Sequence, residues 1–163
     1  MKTVVLIRHG KSSWKYNVTD RERPLKKVGV KNTIKVCKEF KLNSEIQLQN
    51  VFSSPAKRAR DTCDIFVENY KATHQINVEI EEDIYDFNGD SLRRFVENLD
   101  NNLETVFIFG HNNAFNNFVN TFGEVYIENV PTSGLVILEF DINNWSDLKP
   151  GVLKLKLFPK ALF

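Results

Sequence analysis

The alternation of short apolar segments with amphipathic segments is the feature of this sequence that most constrains its fold. Thr3–Ile7 is a continuous run of β-branched and aliphatic residues, which is typical of a strand buried on both faces. The further predicted strands are Val51–Ser53, Ile76–Ile80, Thr105–Phe109, Gly134–Phe140 and Val152–Phe158. Strands that alternate with helices predict an α/β fold, here a three-layer sandwich in which helices flank a mainly parallel sheet.

Four segments between these strands have apolar residues at helical spacing. The first covers residues 27–41. The second follows Val51–Ser53, where Ser54 can cap a helix and Pro55 can occupy its first position. The third extends from Leu92 to Leu103, and the fourth covers residues 112–122. The last two strands have no helix between them, so at least one strand of the sheet is predicted to be antiparallel.

Length and composition favour one ordinary cytoplasmic domain, residues 1–163. The chain is 42% apolar and 26% charged, close to the average of globular proteins. Its apolar runs are too short to span a membrane, and the first one lacks the features of a signal peptide. Cys37 and Cys63 occupy apolar helical positions and are predicted to be core thiols, with a disulfide as the alternative.

The net charge of +1 gives no support for nucleic-acid binding, but the charge is unevenly distributed. Residues 1–41 contain twelve Lys and Arg against three Asp and Glu, whereas residues 76–104 contain nine Asp and Glu against two Arg. Two solvated faces would explain this asymmetry. The alternative is that the basic half surrounds an anionic substrate.

Unusual polar residues follow three of the predicted strands. The first strand leads into Arg8-His9-Gly10, the second into Ser54-Pro55-Ala56-Lys57-Arg58, and the fourth into Gly110-His111-Asn112. In open parallel sheets the carboxyl ends of the strands lie along one edge, where ligands bind. Arg8, His9, Arg58 and His111 should therefore converge on one crevice.

Such a set of side chains suits a phosphoryl group. Guanidinium groups present planar donors that match phosphate oxygens, and helix N-termini add backbone N–H groups. Histidine is a competent nucleophile toward phosphorus when it is neutral, and positive neighbours keep it neutral by lowering its pKa. A lone histidine or arginine in such a place is usually structural, but four of them at three strand ends favour a common function.

These motifs resemble those of the histidine phosphatase superfamily, also called phosphoglycerate mutase-like. Arg8-His9-Gly10 is similar to its first motif, Ser54-Pro55-x-x-Arg58-Ala59-x-x-Thr62 to its second, and Gly110-His111-Asn112 to its third. The short SixA-like branch, the phosphohistidine phosphatases, is the most similar one. Asp20-x-x-Arg23-Pro24-Leu25 and Pro131-Thr132-Ser133-Gly134 also fit that branch.

The resemblance implies a phosphoglycerate mutase-like fold and a role for each matching residue. His9 would be the transiently phosphorylated nucleophile, Arg8 and Arg58 would bind the phosphoryl oxygens, and His111 would stabilise the developing charge. Water would then release phosphate, with no metal and no other cofactor. The Arg and His residues would supply the positive field that metal ions provide elsewhere.

Three further residues are candidates with less support. Ser12 could add a hydroxyl donor to the phosphate site. Arg23 could face its mouth or form a plain ion pair with Asp20 or Glu22. Larger family members use a carboxylic general acid, for which Asp86 is the best candidate here, with a solvated loop carboxylate as its alternative.

The absence of a secure general acid favours a substrate with an easily displaced leaving group. Imidazole has a pKa near ~6.5, whereas an alkoxide needs a strong proton donor, so phosphohistidine in a protein is the expected substrate. The predicted partner is therefore a phosphorylated protein, or else a small phosphorylated substrate, with no nucleic acid and no membrane. One alternative is a phosphatase of small phosphoesters on the same scaffold. Another is a non-catalytic module that binds phosphorylated partners.

Overall fold

The computed structural model describes residues 1–162, and Phe163, the last residue of the predicted domain, lies outside the described residues. A six-stranded sheet forms the centre of the fold. Its six strands are β1 (Lys2–Arg8), β2 (Val51–Ser53), β3 (Val78–Ile80), β4 (Thr105–Gly110), β5 (Leu135–Phe140) and β6 (Val152–Leu157). They lie in the order β3-β2-β4-β1-β5-β6. The pairs β1·β4, β2·β4 and β2·β3 are parallel, whereas β5 is antiparallel to both β1 and β6. The prediction of a mainly parallel sheet with an antiparallel strand is confirmed.

Helices cover both faces of this sheet, as the predicted sandwich requires. They are α1 (Lys27–Asn43), α2 (Lys57–Tyr70), α3 (Asp90–Glu97), α4 (Ala114–Phe122) and the short α5 (Pro159–Leu162). Phe40 of α1 and Phe66 of α2 belong to the core on one face. Leu92 of α3 and Phe118 of α4 belong to the core on the other. The central strand β1 is buried between them, because its apolar run from Val4 to Ile7 contributes residues alternately to the two cores.

Five helix boundaries differ from the sequence-based expectation: α1 continues to Asn43, α3 begins at Asp90, and the other three lie beside polar residues. The second helix begins at Lys57, because the chain stays extended through Ala56 and Ser54 caps nothing; its hydroxyl accepts the Ala56 N–H instead. The third helix ends at Glu97, where the Asn98 side chain bonds back to a backbone carbonyl of the last turn. Side chains of this type compete with the helix for backbone partners. The fourth begins at Ala114 rather than at residue 112.

The sheet register brings the carboxyl ends of three parallel strands together. Arg8 at the end of β1 pairs with Gly110 at the end of β4, and Ser53 at the end of β2 pairs with Phe109. The three motif-bearing loops therefore leave the sheet side by side.

The state of the cysteines and the character of the helices were also predicted from the sequence. Cys37 and Cys63 are buried free thiols. Within residues 1–162, no helix has the length and apolar character needed to cross a membrane.

Candidate active site

Arg8, His9 and Arg58 line one cleft, and His111 lies buried behind it, against the His9 ring. The rings of His9 and His111 are 5.3 Å apart between centroids. His9, Arg58 and His111 are buried, with 7%, 1% and 1% of their surface exposed. A cleft of about 430 Å³ opens above them. It is lined by Arg8, His9, Lys11, Ser12, Trp14, Asp20, Arg23, Lys26, Arg58, Phe87, Asn112 and Thr132.

The loop that carries His9 is held by short backbone contacts. The His9 N–H donates to the Gly110 carbonyl, at 3.0 Å, and the Gly10 N–H donates to the Thr62 hydroxyl, at 2.8 Å. The loop also packs tightly against the first turns of α1. A Cβ atom on Gly29 would lie 2.5 Å from the Lys11 carbonyl oxygen, so only glycine permits this approach. The position of the His9 ring is thus fixed from β4, α1 and α2.

The hydrogen bond of the His9 ring determines which nitrogen carries its proton. Nδ1 lies 2.7 Å from the carbonyl oxygen of Gly10. A carbonyl oxygen can only accept, so Nδ1 of the neutral ring is the donor and Nε2 holds the free lone pair. The ring is therefore set up with a nucleophilic Nε2.

His111 is positioned by Ser54 and by aromatic neighbours. Its Nε2 lies 2.8 Å from the Ser54 hydroxyl oxygen, which connects the β4 loop to the β2 loop. The Phe87 and Tyr85 rings pack against the imidazole, with centroids 4.9 and 5.5 Å away. Phe87 also lines the cleft, although no sequence motif marked it as a site residue.

Arg8, which is half-buried, and Arg58, which is buried, are each anchored by part of their guanidinium group. Arg8 donates from one Nη to the Val130 carbonyl, at 2.9 Å. Arg58 donates to the Asp20 carbonyl, at 2.7 Å, and to the Asp20 carboxylate, at 3.1 Å. The remaining guanidinium nitrogens keep part of their donor capacity free for an anion.

Three buried side-chain nitrogens have no hydrogen-bond partner within the described part of the chain. They are Nε of Arg8, Nε of Arg58 and Nδ1 of His111. Buried polar groups without partners are rare in folded proteins and are costly to keep. Their concentration in these residues indicates a site built for a ligand that carries several acceptor oxygens.

Asp20 is the residue of this site that the sequence analysis undervalued. Its carboxylate accepts hydrogen bonds from Arg58, Arg23 and the Tyr85 hydroxyl. Burial alone would raise the pKa of Asp20, but the hydrogen bonds from Tyr85 and Arg58 outweigh it and lower the pKa to about 2. Asp20 therefore stays ionised and holds two arginines at the cleft.

Ser12 and Arg23 both line the cleft, and they contact each other. One Nη of Arg23 donates to the Ser12 hydroxyl at 2.7 Å, while its Nε is 3.2 Å from Asp20. Arg23 thus combines the two alternatives from the sequence, since it faces the mouth and is also the ion-pair partner of Asp20.

The structure does not bring Asp86 into the cleft. Its carboxylate accepts the backbone N–H groups of Asn88, Gly89 and Leu92, at 2.9 to 3.2 Å, so it caps the start of α3. It is nevertheless buried, so it is not a solvated loop carboxylate either. Neither sequence-based alternative for Asp86 describes this arrangement, because a cap of this kind forms only once the 86–92 turn has closed.

We expect Asp86→Ala to lower the free energy of unfolding by about 1–2 kcal/mol while changing kcat less than about threefold. Urea unfolding and steady-state kinetics on one preparation would measure both effects. Asp86→Asn, which keeps an acceptor oxygen, should recover most of the lost stability. A drop in kcat of a hundredfold or more in a folded Asp86→Asn variant would instead assign a catalytic role to this carboxylate.

The imidazoles of His9 and His111 are both held neutral. For His9, burial lowers the pKa, the Gly10 carbonyl opposes this, and the positive charge of Arg58 and Arg8 adds to it, giving a pKa of about 3. For His111, burial lowers the pKa most, and the charge that His9 has when protonated and the charge of Arg58 lower it further, to about 2. A neutral His9 is the form able to act as a nucleophile.

These lowered pKa values predict a loss of stability in mild acid. In the unfolded chain both histidines take up protons near pH 6.5, but in the folded protein they do so only near pH 3 and 2. Between these values the unfolded chain binds more protons, so the free energy of unfolding falls as the pH falls below 6.5. From about pH 7 to about pH 4.5 we expect a loss on the order of 2 kcal/mol per histidine.

Urea unfolding of the wild type and of a His9→Gln/His111→Gln variant at both pH values measures this effect. The variant should lose clearly less stability than the wild type between the two pH values. Equal losses in the two proteins would contradict the buried neutral state of the histidines.

Solved structures with the same fold belong to several phosphatases. The protein histidine phosphatase SixA, in a complex with tungstate, has a TM-score of 0.82 at 17% identity, and the match covers 99% of each chain. A proposed phosphohistidine phosphatase SixA from Agrobacterium tumefaciens has a TM-score of 0.73 at 21% identity, covering 85% of this chain and 91% of that one. A mycobacterial glucosyl-3-phosphoglycerate phosphatase has a TM-score of 0.69 at 11% identity, covering 95% and 98%. At these identities the similarity shows a shared fold.

Sequence comparison identifies the family. No curated protein matches the chain significantly. Residues 4–128, however, match the family model of the histidine phosphatase superfamily, branch 1. The matched segment contains Arg8, His9, Arg58 and His111 and covers well over half of the chain. The chain therefore belongs to branch 1 of the histidine phosphatase superfamily and is a phosphatase by family.

Proposed function

We propose that this phosphatase acts through a covalent phosphohistidine on His9 and that its substrate is phosphohistidine in a protein. The observation that supports this most directly is the hydrogen bond from Nδ1 of His9 to the Gly10 carbonyl. It fixes the proton on Nδ1 and leaves Nε2 free to act as a nucleophile. Arg8 and Arg58 line the same cleft as His9, and the neutral His111 ring packs against it, which favours an enzyme over a module that only binds phosphorylated partners.

The proposed phosphoryl site is formed by the donors that lack a protein partner. We propose that Nε of Arg8, Nε of Arg58 and Nδ1 of His111, which are buried and have no protein partner, donate to phosphoryl oxygens once substrate is bound. The Ser54 hydroxyl can donate to Nε2 of His111, which places the imidazole proton on Nδ1. The complex of SixA with tungstate, a tetrahedral oxyanion, is in keeping with such a site on this fold.

The reaction would proceed in two displacements. In the first, the lone pair on Nε2 of His9 attacks phosphorus, the bond from phosphorus to the substrate nitrogen breaks, and that imidazole leaves with a proton from solvent. In the second, water attacks the phosphorus of phospho-His9, the P–N bond breaks, and phosphate is released. The guanidinium groups and His111 stabilise the charge that builds on the phosphoryl oxygens in both steps. Neither step requires a metal ion or another cofactor.

The substrate class follows from the acid available in the cleft. Asp20 is the one carboxylate among the described residues that line it. Its pKa of about 2, set by Tyr85 and Arg58 against the effect of burial, makes it a poor proton donor near neutral pH. A leaving group that departs without strong acid catalysis is therefore favoured, and the imidazole of phosphohistidine fulfils that condition.

Phosphate release from a phosphohistidine peptide and from p-nitrophenyl phosphate, each with a chelator present, tests this proposal. We expect the wild type to hydrolyse both and to prefer the peptide, and His9→Ala to hydrolyse neither. Glucose 6-phosphate, as a third substrate, tests the substrate class: a higher kcat/KM for it than for the peptide would contradict that class while leaving the covalent mechanism intact. Loss of activity in the chelator would contradict the metal-independent mechanism.

We also propose a cellular location and a domain extent for this phosphatase. The free, buried state of Cys37 and Cys63 fits a reducing compartment, and we place the enzyme in the cytoplasm on that basis. We likewise treat residues 1–163 as one catalytic domain.

A further inference from the structure

The cleft contains more positive charge than a phosphoryl group needs. Five cationic side chains and one carboxylate line it, which gives an excess of four positive charges with the histidines neutral. A phosphoryl group has a charge of about −2 near neutral pH. When a phosphoryl group of that charge is bound, the cleft would still have an excess of about two positive charges.

That excess can be assigned to two lysines at the mouth. Arg23 and Arg58 are ion-paired with Asp20. Lys11 and Lys26 line the same cleft with exposed side chains, and within residues 1–162 neither has an ion-pair partner. The two ammonium groups are therefore available to anions that lie outside the phosphoryl site.

The backbone holds the two lysines in a fixed relation to each other. The Lys26 N–H donates to the Lys11 carbonyl, at 2.8 Å, and the Ser13 N–H donates to the Pro24 carbonyl, also at 2.8 Å. Between these bonds, Ser12 and Leu25 form an antiparallel bridge. The lysines thus project from two paired segments rather than from independent flexible loops.

An exposed aromatic ring completes this side of the mouth. The Arg23 guanidinium lies 3.6 Å from the centroid of the Trp14 ring, and Trp14 is 77% exposed and lines the cleft. The indole is held on one side by a cation and is open to solvent on the other. Tryptophan and arginine are both enriched at protein-binding surfaces, so the pair formed by Trp14 and Arg23 is typical of such a surface. We call the surface formed by Lys11, Lys26 and Trp14 the basic rim.

We propose that the basic rim binds acidic side chains that surround the phosphohistidine on a protein substrate. The inference rests on the proposed function and makes the substrate class narrower. A protein face fits better than a second phosphate of a small molecule, since both lysines and the indole are largely exposed, whereas small-ligand sites enclose most of the ligand. Charges at such a rim mainly accelerate encounter and select partners.

Two synthetic phosphohistidine peptides that differ only in their flanking residues test this inference. In one peptide the phosphohistidine is flanked by glutamates, and in the other by glutamines at the same positions. The enzymes compared are the wild type, Lys11→Gln/Lys26→Gln, and Lys154→Gln/Lys156→Gln. The last variant removes the same charge from exposed lysines on β6, which do not line the cleft in the described structure.

We expect the wild type to prefer the acidic peptide by about tenfold in kcat/KM at low salt. The preference should shrink toward one in high salt and in Lys11→Gln/Lys26→Gln, and it should persist in Lys154→Gln/Lys156→Gln.

Equal kcat/KM for the two peptides in the wild type would overturn the inference, as would a preference that survives the loss of both cleft lysines. Faster, lysine-dependent hydrolysis of a small bisphosphate such as fructose 1,6-bisphosphate would assign the rim to a second phosphate instead. Failure of the proposed function would look different: neither peptide would be hydrolysed, although p-nitrophenyl phosphate was, and the inference would fall with it.

Discussion

His9→Ala should lower kcat by at least about 10⁴-fold on every substrate that the wild type hydrolyses. The proposed mechanism has no second route, because the covalent intermediate forms on Nε2 of this ring. The change also removes a buried histidine with a lowered pKa, so the free energy of unfolding of the variant should fall less than that of the wild type between neutral pH and mild acid. A stopped assay of phosphate release over hours would measure the residual rate, with circular dichroism as the check on folding.

His74→Ala is the matched control for this substitution. His74 is exposed and lies outside the residues described as lining the cleft, so its loss should change kcat less than about twofold. A folded His9→Ala protein that retains a tenth of the wild-type kcat would contradict the role assigned to His9.

Arg58→Ala has the second largest expected effect, a decrease of about 10³-fold in kcat with a smaller change in KM. Arg58 is 1% exposed, and its Nε is one of the three buried nitrogens without a protein partner. Its loss would remove a positive charge that stabilises the negative charge on the phosphoryl oxygens in the transition state. It would also leave Asp20 facing the phosphoryl group, no longer neutralised by this guanidinium. Arg58→Lys should recover little of the activity, because an ammonium cannot reproduce the forked geometry.

Arg60→Ala is the control for the same helix. Arg60 lies two positions further along α2, and its Nε donates to the Pro55 carbonyl at 2.8 Å. It does not line the cleft as described, so we expect kcat within about threefold of wild type. Should Arg58→Ala and Arg60→Ala reduce kcat equally, the effect of Arg58 would be one of folding rather than of phosphoryl binding.

The clustering of Arg8, His9, Arg58 and His111 could be predicted because it depends on the order and direction of the strands. Arg8 is the last residue of β1, and His9 and His111 directly follow β1 and β4. The parallel pairing of these two strands places their ends side by side. Arg58 follows β2 by only a few residues, in the first turn of α2. The order of the elements thus determines most of this arrangement before any side chain is placed.

The residues that were missed depend on loops whose course the sequence does not reveal. Asp20 lies in a 3₁₀ turn between β1 and α1, and it reaches Arg58 across 38 positions of the chain. Its signals were the Asp20-x-x-Arg23-Pro24-Leu25 pattern of the similar branch and a spacing from Arg23 that suggested a local ion pair, and neither of them indicated Arg58. Phe87 lies in the loop before α3, and its contact with His111 depends on how that loop folds back. The hydrogen bonds of Asp86 depend on a loop in the same way, since its carboxylate closes a turn onto α3.

The prediction of a helix boundary from the sequence failed where a side chain had two possible hydrogen-bond partners. Ser54 next to Pro55 has the pattern of a cap followed by the first helical residue, but the Ser54 hydroxyl bonds His111 instead. That partner lies 57 residues away and could not be inferred from local sequence. The helix then begins at Lys57, after an extended Ala56.

The central claim is the covalent intermediate on His9, and direct trapping of that intermediate is its sharpest test. The enzyme would be mixed with a rapidly hydrolysed phosphoryl donor, quenched in alkali within milliseconds and analysed by mass spectrometry of its peptides. We expect one phosphoryl group on the peptide that contains His9, stable in base and lost in acid, and none in His9→Ala or in enzyme denatured before mixing. Full turnover with no phosphorylated His9 peptide at any quench time, or a phosphoryl group on another residue, would contradict the account.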